Sequence, residues 1–173
     1  MNFAVVGGGE SNTASGAHAT VAGGSTNSAS NSYAASSGGS QNVASAIYSV
    51  VAGGKQNEAS SGGYTTVGGG KVNTATGQAA SVGGGDTNAA SGDFASIAGG
   101  KNGAVSANYG TVSGGSSNSA SGEYGSVGGG NGNSANTAST VAGGRSNSAA
   151  GADASIGELY FSGLSIARHV YQS

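Results

Sequence analysis

Small branched aliphatic residues return along this chain at a nearly constant interval. Val6, Val21, Val51, Val67, Val82, Ile97, Val112, Val127, Val141 and Ile156 mark it, with Ser36 in the slot between Val21 and Val51. The step is 15 residues almost throughout, 16 between Val51 and Val67, and 14 between Val127 and Val141. Around each anchor, apolar and polar positions alternate. In "YGTVSGG", residues 109 to 115, Gly110 and Val112 share one face and Tyr109, Thr111 and Ser113 the other. That is the two-residue period of a strand.

Other columns keep phase with this anchor. Gly-Gly follows at +2 and +3 in every copy except the last, and Ala stands at +8 with Val105 as the variant. Asn stands at +6 as Asn12, Asn27, Asn42, Asn57, Asn73, Asn88, Asn118, Asn133 and Asn147, with Gly103 in the one remaining copy. Aromatic residues gather at −3 as Phe3, Tyr33, Tyr48, Tyr64, Phe94, Tyr109 and Tyr124, with His18 in the same slot. A period of 15 is too short for a helix-pair repeat, which needs more than about 30 residues. It suits one coil of a β-solenoid, with about ten coils over residues 1–157. Two strands of about five residues and two turns would fill each coil. Stacked at about 4.8 Å, the coils make a rod roughly 50 Å long. The Asn column is expected to form a hydrogen-bonded ladder along the axis.

Composition alone would allow a flexible linker: the 173 residues include 37 Gly, and no Pro, Cys or Trp. A linker has no phase, however, and this chain does. In a coil too narrow for large side chains, Gly, Ala and Ser become structural. One Val and a few Ala per coil make a thin core beside an ordering cost of about 1–2 kcal/mol per residue. Self-association is therefore expected. The regular −3 aromatic stripe is expected to pack against other subunits, with a ligand face as the alternative. Collagen's three-residue Gly period is absent. No run reaches the roughly 20 apolar residues of a membrane span, so no direct membrane insertion is expected. "MNFAVVGGG" shows no signal-peptide pattern. Five basic residues against seven acidic ones make no phosphate-binding stripe, so no nucleic-acid partner is expected.

The columns, written "xxVxGGxxNxASGxYAS", closely resemble the head repeats of YadA-like trimeric autotransporter adhesins over about residues 3 to 157. The resemblance implies an all-β, left-handed parallel β-roll of 15-residue coils. It implies a side-by-side homotrimer and a place on a bacterial cell surface, anchored to the outer membrane through parts of a longer protein. It implies adhesion, without enzymatic activity, to a host extracellular-matrix protein, cell-surface receptor or glycan. The family's neck motif, heptad stalk and membrane barrel are not present in these residues, and many members use a 14-residue repeat. Similar repeats occur in bacteriophage fibres and capsid appendages, so a virion protein is the alternative.

No catalytic constellation stands out. His18 and His169 are far apart, with no Cys or carboxylate cluster beside them. Gly54-Lys55, Gly70-Lys71 and Gly100-Lys101 lack the spacing and the Ser/Thr of a phosphate loop. No recurring Asp suggests a calcium repeat. Neither cofactor nor metal is expected. Glu10, Lys55, Lys71, Asp86, Lys101 and Arg145 all fall at +4, which predicts an exposed row of mixed sign. A hydroxyl row at −1 (Thr20, Thr66, Ser81, Ser96, Thr111, Ser126, Thr140, Ser155) raises an ice-binding solenoid as a minor alternative. Residues 158–173 leave the pattern and carry more bulk. Leu164, Ala167 and Val170/Tyr171 could share a face of a short helix, making the segment a cap, trimerisation or docking element.

Overall fold

The computed structural model describes residues 3–157 and the backbone of 169–171. It is an all-β parallel solenoid with a long sheet on each of two sides. The first sheet stacks the anchor strands, from Val5–Val6 and Thr20–Val21 to Thr140–Val141 and Ser155–Gly157. The second stacks the +7/+8 strands, from Thr13–Ala14 and Ser28–Ala29 to Ser148–Ala149. Every step within these two stacks is parallel and pairs equivalent columns, as in Val82 with Ile97 and Ala75 with Ala90. A third line of contacts joins the +4 residues as single parallel bridges, from Glu10 with Ser25 to Asn131 with Arg145. The coil therefore has three sides, where two were expected.

The strands are also shorter than expected. The in–out alternation runs over about five residues, but ladder pairing covers two in each repeat strand. The narrow coil bends away at once on either side. Four columns point inward. The anchors, the Asn column and the +8 Ala column are joined by a −2 column of small residues, including Ala19, Ala34, Ala80 and Ala95. Ile97 is the largest fully buried side chain, so the core is built of Val and Ile flanked by Ala and other small residues. Ser36, inside the Val file, is fully buried, and its hydroxyl has no hydrogen-bond partner among the described residues.

The 16-residue and 14-residue coils stay in register. Val50 still pairs Thr66 and Val51 pairs Val67; Ser126 still pairs Thr140 and Val127 pairs Val141. Both length changes fall between the +8 Ala and the next anchor strand, in the turn that carries the −3 residue. At the far end, His169–Tyr171 pairs antiparallel with Ser155–Gly157. Val170 and Tyr171 thus lie in a strand instead of on the expected helix. Leu164 and Ala167 lie outside the described residues.

Candidate binding surface

The −3 residues do not lie on the flat face of a sheet, as simple alternation would have it. From His18 onward each occupies the turn that closes its coil, in the left-handed region: Tyr33 has φ 57°, Phe94 56° and Tyr109 58°. This conformation is uncommon for a bulky residue and costs of order 1 kcal/mol or more. A hydrogen bond along the rod offsets it. The Tyr33 N–H donates to the Ala17 carbonyl of the previous coil at 2.8 Å, and Phe94 to Gln78 at 2.8 Å.

The turn also aims each ring along the same direction. His18 stacks on Tyr33 at 5.0 Å between centroids, Tyr33 on Tyr48 at 4.8 Å, and Tyr48 on Tyr64 at 5.0 Å. Phe3 tilts against His18 at 5.8 Å. A second run joins Phe94 to Tyr109 and Tyr109 to Tyr124, both at 5.1 Å. Apart from the tilted Phe3–His18 contact these are offset-stacked pairs, each worth about 0.5–1.5 kcal/mol beyond area burial. The spacing follows from the strand repeat itself. Ala79 fills the −3 slot between the two runs, with the same left-handed backbone at φ 53°.

The opposite side of the coil is built for closure. The +3 glycines turn the chain in the left-handed region, as Gly85 does at φ 95°. The Asn side chains lock this turn. Asn73 donates from Nδ2 to the Gly69 carbonyl of its own coil (2.8 Å) and to the Gly85 carbonyl of the next (2.9 Å). Its Oδ1 accepts the backbone N–H of Asn88 at 3.0 Å. The expected ladder is therefore present, but it runs from side chain to backbone and not from amide to amide. It is buried from Asn27 to Asn147, while Asn12 in the first coil is half-buried. At Gly103 the column lacks an amide, though the Gly103 N–H still meets Asn88 Oδ1 at 2.8 Å.

The +4 charges line one edge as expected, exposed at Glu10, Lys55, Lys71, Lys101 and Arg145 and half-buried at Asp86. An open depression beside Gly130, Asn131, Gly144 and Arg145 lies on that edge. In the −1 row, hydroxyls bond one another between coils, Ser81 to Ser96 at 3.4 Å and Thr111 to Ser126 at 3.0 Å. Among the described residues, no group of three or more His, Asp or Glu side chains comes together. No helix among them is long and apolar enough to cross a membrane.

Sequence reasoning missed the third side of the coil and the corner placement of the rings. The inward −2 position was legible in Gly110, on the same face as Val112, while the Ala79 interruption was visible as a −3 slot without a ring but went unremarked. The fold and its repeated surface define the class: this is a parallel β-solenoid repeat protein. No protein-family model matches the chain, and no curated protein matches its sequence.

Proposed function

We propose that this chain is the head of a trimeric bacterial surface adhesin, a non-enzymatic module that binds a host matrix protein, receptor or glycan through its outer surface. In this reading three left-handed rolls pack side by side. The observation that carries it is an unbroken stack of about ten coils whose outward columns repeat at one strand spacing. A surface of that kind offers a partner many equivalent weak contacts, and avidity multiplies them.

The aromatic stripe can be assigned to subunit packing or to ligand contact, and the corner geometry favours the second. The rings cover one another's faces and project from a convex turn, which gives a neighbouring roll little area to bury. The outer face of the anchor sheet suits close packing better. Its +1 column holds only small residues, such as Ala22, Ser37, Gly68 and Gly83. Such residues let two backbones approach.

Solution mass, measured by light scattering or native mass spectrometry at low concentration, tests the reading. A stable trimer supports it, and binding screens against matrix proteins, glycans and cells then follow. A well-folded monomer overturns it.

A further inference from the structure

The interruption of the aromatic ladder at Ala79 has a defined size. Tyr64 and Phe94 stand two coils apart with only a methyl side chain between their slots, while neighbouring rungs are separated by 5.0 Å and 5.1 Å. Two such steps put the facing rings about 10 Å apart between centroids. Stacked rings touch at about 3.5 Å along their normal. The slot is thus about 7 Å wide along that normal, enough for one flat aromatic ring. A hexopyranose chair is thicker and does not fit flat between two walls at that separation. The backbone at Ala79 matches its neighbours, with φ 53° and an N–H bond to the Gly63 carbonyl at 2.9 Å. The slot is therefore a missing rung in an otherwise continuous ladder, not a break in the fold. Tyr64 is 58% exposed against 48% and 41% for Tyr33 and Tyr48 inside its run, while Phe94 on the other side of the slot is 48% exposed against 45% for Tyr109.

We propose that the Ala79 slot is a binding site for a single planar aromatic group, a phenol or indole ring inserted between Tyr64 and Phe94. The ligand completes the ladder by the same offset stacking on both faces that holds Tyr109 between Phe94 and Tyr124. Among the described residues this is the one −3 slot lacking a ring that has rings on both sides; beyond Tyr124 the column continues with Ala138 and Asp153. The proposal goes beyond the adhesin reading. It requires only that this corner be free in the protein as it exists in solution.

The chain has no Trp, so the emission of an added indole probe belongs to the probe alone. N-acetyl-tryptophanamide titrated against the protein is expected to bind saturably, with a dissociation constant of about millimolar, and to shift the Tyr64 and Phe94 ring resonances. Ala79→Tyr fills the slot in a conformation its neighbours already adopt, and is expected to weaken binding about tenfold or more. Phe94→Ala removes one wall and has the same sign. Tyr33→Ala, in the middle of the other run, leaves binding unchanged. Methyl glucoside does not bind at the slot. The proposal is overturned by absent indole binding, by binding that survives Ala79→Tyr, or by a slot that takes the sugar and refuses the indole. Iodide quenching of tyrosine emission in the same samples tells a slot that does not bind from a corner covered by another subunit, and either result overturns it.

Discussion

The two ends of the second sheet's strands make an instructive pair. At one, the chain passes the Gly-Gly turn and the Asn ladder; at the other, it passes the aromatic corner. Both use residues in the left-handed region, such as Thr87 at φ 59° on the Asn side and Phe94 at φ 56° at the corner. Both send that residue's N–H to the previous coil, Thr87 to Lys71 and Phe94 to Gln78. They differ in where the side chains go. On the Asn side the amides turn inward and hold two successive coils. At the aromatic corner the rings turn outward and stack on one another. The added and the deleted residue of the irregular coils both fall at that corner, while the sheets keep register. The 15-residue period is thus enforced on one side of the coil, and variation is left to the other.

The sharpest way to break this comparison is a single methyl group on the closed side. A Cβ at Gly85 would lie 2.1 Å from the Gly100 carbonyl oxygen and 2.6 Å from Asn88 Nδ2, at a φ of +95°. At Gly84, one residue earlier, the nearest atom is 3.9 Å away. Gly85→Ala is expected to cost more than about 4 kcal/mol in equilibrium unfolding, and Gly84→Ala less than about 1 kcal/mol. Equal effects at the two glycines would mean that the turn yields where the structure makes it tight.

Next in size is the loss of one amide. Asn73→Ala removes the donor to the Gly69 and Gly85 carbonyls and the acceptor of the Asn88 N–H. The Asn88 N–H and the Gly69 carbonyl lose a partner, while the Gly85 carbonyl keeps the Lys71 N–H; at about 1–3 kcal/mol for each group left unpaired, a total of about 2–4 kcal/mol is expected. Hydrogen exchange should show the loss centred on the two coils that Asn73 joins, because a solenoid couples nearest neighbours. Protection lost evenly along the rod would argue against that coupling.

How much of this was legible follows from which residues repeat. The Val, Gly-Gly, Asn and Ala columns recur because each has an inward or conformational duty in every coil, and together they gave away the solenoid. The three-sided cross-section was hidden. The +4 residues pair through backbone alone, so Glu, Ser, Lys, Asp and Asn serve equally well there. The corner placement of the rings was hidden for a related reason. Alternation in "YGTVSGG" looks continuous, and nothing in the side chain of Tyr109 announces a φ of 58°. Pattern reveals which positions are constrained, but not always by what.

Repairing the two irregular inward positions sharpens the comparison in the other direction. Gly103→Asn restores the missing amide. A Cβ there meets Asn88 Oδ1 at 3.0 Å and nothing else closer than 3.6 Å, in a coil whose neighbours hold Asn at the same place. Ser36→Val restores the aliphatic file between Val21 and Val51 and removes a buried hydroxyl without a partner. Each is expected to stabilise by about 1–2 kcal/mol, the first through new hydrogen bonds and a less flexible unfolded chain, the second through apolar burial. A thermal melt of the double variant should show the two gains adding, since the sites lie several coils apart.

The smallest effect is expected at the aromatic corner, and it tests the asymmetry directly. One glycine inserted between Gly92 and Asp93 makes a second 16-residue coil of the kind already accepted between Val51 and Val67. The turn lengthens and no strand shifts, so the cost is less than about 1 kcal/mol, mostly loop entropy. The same glycine inserted between Gly99 and Gly100 shifts the residues after it by one. Every side chain up to the next turn would then exchange its inward and outward face. The Lys101 bridges to Asp86 and Ser116 would lose their partners, and Val105 would leave the core. That insertion is expected to abolish cooperative melting of the surrounding coils. Comparable melting of the two insertion variants would show that the period is held by the whole coil, and that the division between a closed side and an open one has no energetic content.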